Sequence, residues 1–510
     1  MLKLLLRSAQ ALIFLSLLFI LQAPKLKNID RVGDNVPDRS QLEPTPKQLS
    51  LSPSASVTLA RNKKYICPAD LDRKIGQIIN REGFDRLSWG ILIQTLATEK
   101  TIYAKNAEKY VLPASNAKLL TTAAALSQLG SRYRFYTSVY GEGTLPDLTT
   151  LRVVGSKDPS LNTAQLERLA DRLKAKGVRR ISRLIIENSR PYINPTWEWS
   201  DIREYYAVGV YDLNLNENAV ILTILPQRLG QKVKLDWSDE IAAKQWAIEN
   251  QAVTAPENTP YGVEIKGVFV EPSLKIQGEL AIDSGPDIWG LAIPDQSQYF
   301  LTSFRKILRD RGIEVDSEYV DRRPFSIPRG TKLATVYSET LEVLIAKTNQ
   351  ESNNLYAETL FQVLQDRLSA ATEDNAIELV LSKLGVDSNS YSLNDGSGLS
   401  RQNSVSPEAI VKTLQLMAKT PQAQIYRDSL AVAGVSGTLK NRFLNTPIRG
   451  KLQAKTGTLT GVSGLSGYLE LANYETLVIS IILNHADFKS SLQRDAIDEI
   501  VLLLKDLRDC

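Results

Sequence analysis

Histidine is almost missing from this 510-residue chain: His485 is the only one. A Ser-His-Asp arrangement has no other imidazole to draw on, and a multi-histidine metal site is excluded. His485 follows the apolar run Leu477–Asn484 and reads as a strand-end residue, so a serine enzyme built from this chain needs another base. Cysteine is nearly as scarce. Cys67 and Cys510 form no metal-binding pattern. They bracket the folded region and read either as one disulfide in an oxidising compartment or as two unpaired thiols. There is little excess charge either: 61 Lys and Arg against 57 Asp and Glu leave +4, with no long basic stripe, which argues against a nucleic-acid partner.

A membrane-spanning run is also lacking at the N-terminus. Lys3 and Arg7 precede an apolar core of 11 residues, Ala11–Leu21, short of the ~20 that cross a bilayer and suited to a signal-peptide core. Leu21-Gln22-Ala23 before Pro24 is a poor cleavage site, so residues 1–23 read as a signal peptide or a retained anchor, the one expected membrane contact. Residues 24–64 carry Pro37, Pro44, Pro46 and Pro53 without a sustained apolar period and read as a flexible linker.

What remains has an ordinary globular composition, 43% hydrophobic and 23% charged, long enough for about three domains of ~150 residues. Leu71–Ile79 is helical in pattern, and Trp89–Leu96 and Thr101–Ala107 read as paired strands. Between Arg132 and about Arg323 short strands, turns and interspersed helices suggest separate α+β material inserted into another domain. Its aromatic cluster Trp197, Trp199, Tyr205 and Tyr206 reads as core and loop anchoring or as the lining of a glycan cleft. Helical pattern returns after Ser338. Leu452–Thr458, Gly467–Leu471 and Glu475–Asn484 then read as antiparallel strands, and Arg494–Leu507 as a closing amphipathic helix.

The chain is organised around Val111–Gly130, VLPASNAKLLTTAAALSQLG. Leu119, Leu120, Ala123, Leu126 and Leu129 recur at near-helical spacing, and Gly130 stands where a helix ends. Ser115 and Lys118 are three apart, so a helix places the amine beside the hydroxyl. The backbone N–H of a first-turn serine has no intrahelical partner and is available to an oxyanion. Ser303 and Lys306 repeat the S-x-x-K spacing in a charged amphipathic helix, which shows how little the motif means alone. Ser115 differs in its surroundings: a lysine in a small, apolar helix needs a reason to be there.

Two further motifs follow in order, Ser352-x-Asn354 and Lys455-Thr456-Gly457. S-x-N recurs at Ser160 and Ser392, whereas K-T-G occurs once. A serine can relay a proton and an asparagine can hold a substrate amide. Lys455 supplies charge for a carboxylate, and Gly457 is expected to let substrate backbone lie against the strand. The triple resembles the signature of penicillin-binding proteins and β-lactamases. Within that superfamily PASNAKLLTTAAAL (113–126), GSKDPSL (155–161), YDLNLNENAV (211–220), NDGSGLSR (394–401) and GVSGTLKNRF (434–443) are similar to low-molecular-mass class C penicillin-binding proteins, the S13 D-Ala-D-Ala carboxypeptidase/endopeptidases. The resemblance runs from about residue 67 to the C-terminus. GSKDP departs from the family's glycine-rich segment at Lys157, a change expected to bear on substrate preference.

The resemblance implies an α/β (α+β) fold: a transpeptidase-like domain, residues 65–134 and 323–510, split by a mainly-β insertion. That insertion, 135–322, would form a second domain with a third nested at about 160–240. It also implies Ser115 as nucleophile, Lys118 as base and Ser352 as proton relay. Asn354, Lys455, Thr456, Gly457 and Thr458 would bind substrate, with the N–H groups of Ser115 and Thr458 holding the oxyanion. The partners implied are peptidoglycan stem peptides as substrates and β-lactams as inhibitors, without metal or cofactor, in the periplasm or cell wall. Because the first and last helices are neighbours in the resembled fold, it favours a Cys67–Cys510 disulfide. A β-lactamase-like hydrolase and a non-catalytic peptidoglycan-binding protein are the alternative readings.

Overall fold

A computed structural model describes residues 65–510 except 85, 269–271, 324–328, 369–374 and 486–489. The N-terminal apolar segment and the proline-bearing linker lie outside the described residues. Among those described, no helix is long and apolar enough to cross a membrane.

The chain builds a mixed α/β structure on a six-stranded antiparallel sheet in the order Ala431–Val432, Leu452–Leu459, Val462–Leu469, Leu477–Asn484, Ser88–Thr95, Thr101–Lys105. Its central strands are buried at nearly every position, as both faces being covered requires. The period of two sorts them. Ile91 and Ile93 join the core shared with Leu71–Ile79 and Ser490–Leu504, while Leu92 joins the core of the opposite face. On that face lie the helices Ala117–Leu129, Leu341–Gln350, Asn354–Leu368, Ala376–Leu384 and Pro407–Ala418. Ser406 caps the last of these, accepting from the Ala409 N–H at 3.0 Å, with Pro407 at its first position.

The two ends of the described fold meet beside this sheet. Ile66 pairs with Leu507 through hydrogen bonds to Asp506 and from Arg508, and a disulfide joins Cys67 to Cys510 with their Cα atoms 5.7 Å apart. That separation is ordinary for a disulfide.

The intervening stretch has its own core and sheets. A five-stranded sheet runs Glu314–Asp321, Arg180–Glu187, Asp147–Gly155, Tyr136–Thr144, Thr331–Tyr337, covered by the helices Thr163–Ala175 and Gln296–Asp310. Two boundaries read from sequence shift accordingly. Thr331–Tyr337 pairs antiparallel with Tyr136–Thr144, so the inserted material continues to Tyr337 rather than ending at 322. Arg180–Glu187 pairs in parallel with Asp147–Gly155, so it belongs to this sheet and not to a nested unit starting near 160. The smaller sheets instead fall between Ala219 and Ala292. Period alone locates strands, but which sheet a strand joins is a long-range pairing that the sequence does not spell out.

Candidate active site

Ala117–Leu129 is apolar or small on every side, the composition of a helix enclosed by others. Every residue from Ala117 to Leu126 is buried, Lys118 included. Ser115 is not in the α-helix itself; it sits in a preceding 3-10 turn, Ala114–Asn116, with Ala114 in the left-handed region at φ 47°. Such a backbone costs a non-glycine residue about 1 kcal/mol or more and persists only where its surroundings hold it.

Three glycines pack against it. Gly457 and Gly464 are register partners on neighbouring strands. A Cβ on either would lie 2.5 or 2.4 Å from the Asn116 amide nitrogen, and one on Gly457 also 2.9 Å from the Pro113 carbonyl. The missing side chain of Gly457 is thus filled by the nucleophile turn, which corrects the expectation that it makes room for substrate backbone. Gly398, at φ 81°, approaches the same turn so closely that a Cβ would meet the Ala114 carbonyl at 1.9 Å.

Lys118 Nζ donates to Ser115 Oγ at 2.9 Å, to Asn354 Oδ1 at 2.6 Å and to the Ser397 carbonyl at 2.6 Å. Burial pushes the amine down from 10.5 to about 7, against the pull of the Asp395 and Glu358 carboxyls. That shift is on the order of 5 kcal/mol against the ammonium form. Lys455, buried on the strand Leu452–Leu459, donates to the Thr456 carbonyl at 2.9 Å. Burial and then the like charge of Lys118 hold it well below the usual lysine range. Repulsion between the two amines opposes both being charged at once, while the Asp395 and Glu358 carboxyls favour the ammonium form of Lys118.

The structure therefore joins Ser115, Lys118 and Asn354 by hydrogen bonds and sets Lys455 within electrostatic reach. Ser352, at φ 61°, precedes the Asn354–Leu368 helix by two residues, and its side chain has no hydrogen-bond partner among the described residues. Thr456 Oγ1 pairs with Thr438 Oγ1 at 2.8 Å, on the opposite strand face from Lys455 and Gly457. The flanking strand Ala431–Val432 pairs only as far as Ala454, leaving Lys455–Leu459 as a free edge among the described residues. His485 lies exposed at a strand end at φ 63°, 3.2 Å from Ser88 Oγ, as its sequence context suggests. No group of three or more His, Cys, Asp or Glu side chains able to hold a metal ion occurs among the described residues.

Sequence reasoning missed the acids. Asp395 accepts from the N–H groups of Gly398 and Ser400 at 2.7 and 2.6 Å, from Asn403 Nδ2 at 2.7 Å, from Trp197 Nε1 at 2.9 Å and from Ser397 Oγ at 3.2 Å. Glu358, fully buried, accepts from the Ser397 N–H at 2.8 Å through one oxygen, while the other has no partner among the described residues. Burial raises it to about 8. The signal for Asp395 was its run of small successors, GSGLS, whose N–H groups can fold back onto a carboxylate.

The inserted segment closes one side. Asn354 Nδ2 donates to the Tyr206 carbonyl at 2.8 Å, Asn194 to the Asn394 carbonyl at 2.6 Å, and Thr196 Oγ1 meets Ser400 Oγ at 2.6 Å. The aromatic cluster does not form one lining: Trp197 is buried against Asp395, Tyr205 packs over Gly290, and Trp199 is 84% exposed. Lys157 likewise bridges, from the insertion at φ 69° to Asp366 Oδ2 at 2.6 Å and Asp212 Oδ1 at 3.4 Å. Its positive φ is a backbone position that glycine adopts without cost and lysine does not.

Comparison with known proteins bears on this geometry. The family model described as D-Ala-D-Ala carboxypeptidase 3 (S13) matches residues 71–506. A D-alanyl-D-alanine carboxypeptidase of Actinomadura sp. is 30% identical over 449 residues, covering 81% of each chain. A penicillin-sensitive carboxypeptidase A of Dictyostelium discoideum is 29% identical over 455 residues, 82% of this chain and 87% of that one. The crystal structure of penicillin binding protein 4 from Haemophilus influenzae superposes with a TM-score of 0.72 at 25% identity, over 85% of this chain and 97% of the other. With a serine, a half-neutral buried lysine and an asparagine joined on this fold, the chain belongs to the D-Ala-D-Ala carboxypeptidase 3 (S13) family of serine peptidases.

Proposed function

We propose that this cleft hydrolyses the D-Ala-D-Ala end, or the equivalent cross-link, of peptidoglycan stem peptides through an acyl-enzyme on Ser115. The observation that carries the assignment is the Lys118 amine, 2.9 Å from Ser115 Oγ and held near 7 by burial, so that about half of it is free base at neutral pH. Ser115 Oγ forms a bond to the penultimate D-Ala carbonyl carbon while its proton passes to Lys118 Nζ. The oxyanion rests on the N–H groups of Ser115 and Thr458. As the C–N bond breaks, Lys118 returns the proton to the leaving amine by way of Ser352, and water then releases the acyl group. The free edge Lys455–Leu459 suits an extended peptide laid alongside it as a further strand, with Asn354 on its amide. A terminal carboxylate arriving beside Lys455, Thr456 and Thr458 favours the ammonium form of that lysine, offsetting its burial.

Penicillin acylates the same serine on this reading, a proposal supported by the penicillin-sensitive relative. The test is paired: D-Ala release from a muropeptide ending in D-Ala-D-Ala, and covalent labelling by a fluorescent penicillin. Both should vanish in Ser115→Ala and survive in Ser303→Ala; labelling of Ser115→Ala would overturn the assignment. We also place the protein outside the cytoplasm, in the periplasm or cell wall. The basic residues before Ala11–Leu21 and the Cys67–Cys510 disulfide support export into an oxidising compartment.

A further inference from the structure

Asp395 makes no hydrogen bond to Lys118, yet one peptide unit joins them. The Gly398 N–H donates to Asp395 Oδ1 at 2.7 Å, and the carbonyl of that same planar peptide, Ser397 O, accepts from Lys118 Nζ at 2.6 Å. Hydrogen bonds in such a chain polarise one another. A carboxylate on the N–H side draws the amide dipole into line and makes its oxygen a stronger acceptor for an ammonium. Five donors converge on the two Asp395 oxygens, a load suited to an acceptor-only carboxylate. One of them, the Trp197 indole, comes from the inserted segment.

We propose that Asp395 is a positioning residue for proton transfer, setting through the 397–398 peptide how firmly the Ser397 carbonyl holds the Lys118 amine, and that Trp197 tempers it by drawing on the same carboxylate. The proposal rests on Lys118 being the base. The groups facing Lys118 are Ser115 from its own turn, Asn354 and Glu358 from the Asn354–Leu368 helix, Ser397 and Asp395 from the loop after Tyr391–Ser392, and Lys455 from the sheet. Facing Asp395 there are also Asn403 and, from the insertion, Tyr192, whose hydroxyl is pushed up to about 12 by burial and then by Glu358 and Asp395. Glu358 differs from Asp395 in its connection: burial raises its carboxyl to about 8, one of its oxygens is unpartnered among the described residues, and its bond from the Ser397 N–H lies on the preceding peptide, not on the 397–398 unit.

The experiment is the pH profile of acylation by a fluorescent penicillin, measured from pH 5 to 9 on the full chain. Asp395→Asn can keep its oxygen on the Gly398 N–H but loses the charge, so the midpoint of the acid limb should fall by about one unit. Relative to its own plateau, the rate at pH 6 then rises about fivefold. Trp197→Phe leaves more charge on the carboxylate, and its midpoint should move up. Glu358→Gln, which has no bond to the 397–398 peptide, should move the midpoint clearly less than Asp395→Asn does. Damage to the fold lowers the plateau without moving the limb in opposite senses. An unmoved or raised midpoint in Asp395→Asn, or a Glu358→Gln midpoint that falls as expected for Asp395→Asn, overturns the proposal. If Asp395→Asn fails to fold, an unmoved or lowered midpoint in Trp197→Phe overturns it. Failure of the underlying reading looks different, as a Lys118→Arg enzyme that acylates at the wild-type rate.

Discussion

Lys157 Nζ, at the end of the first inserted hairpin, reaches Asp366 Oδ2 on the Asn354–Leu368 helix at 2.6 Å. The ion pair spans the insertion and the helix that also carries Asn354 and Glu358, while the lysine occupies a left-handed backbone position at φ 69°. Two opposed effects meet at one residue. Lys157→Ala should lose the bridge and keep the backbone cost, lowering stability by about 0.5–1 kcal/mol. Lys157→Gly relieves that cost and should lose less, although it removes the same charge. Paired thermal melts decide; equal losses would show that the backbone strain is negligible.

Acylation should be governed by the neutral fraction of Lys118. Its amine lies near 7 because burial disfavours the ammonium, so the free base accumulates as pH rises through 7, and the rate should climb there and level above about 8. Lys118→Arg keeps the charge and discards the base, and should lower acylation by at least about a hundredfold at every pH in that window. Stopped-flow acylation against pH is the measurement.

Gly457→Ala tests the packing of the nucleophile turn. The added Cβ would meet the Asn116 amide at 2.5 Å and the Pro113 carbonyl at 2.9 Å, and the second contact is backbone. The turn must move, so acylation should fall by at least about tenfold, with a stability loss of about 1–3 kcal/mol. Adding Asn116→Gly removes one of the two clashes and should recover part of the stability but not the rate.

Cys67→Ser should destabilise the chain by about 3–5 kcal/mol, the range for a cross-link closing a very long loop, here with a sequence separation of 443. Thiol titration of denatured, unreduced protein should find no free thiol.

Much of the site was legible because its chemistry is local. Ser115 and Lys118 lie within one turn, and K-T-G sits on a strand marked by its own period. The helix Leu71–Ile79 stands where apolar spacing placed it. What escaped depends on residues meeting across hundreds of positions. Nothing near Asp395 in the sequence marks its hydrogen bond from Trp197, 198 residues upstream. Glu358 looked like one acid on a helix, with nothing to mark it as fully buried. Thr331–Tyr337 has a strand's pattern, but only its partner Tyr136–Thr144 assigns it to the insertion.

The closure of the described fold at Cys67 and Cys510 carries a mechanical consequence. A pull on the chain upstream of Tyr65 enters the folded body at Ile66 and Cys67, both tied to the last residues through the main-chain hydrogen bonds to Asp506 and from Arg508 and through the disulfide. The load is therefore shared at once with the Ser490–Leu504 helix and the sheet beneath it, instead of peeling Leu71–Ile79 away one turn at a time. A body held at its first residue in this way bears tension as though both of its ends were fastened at a single point.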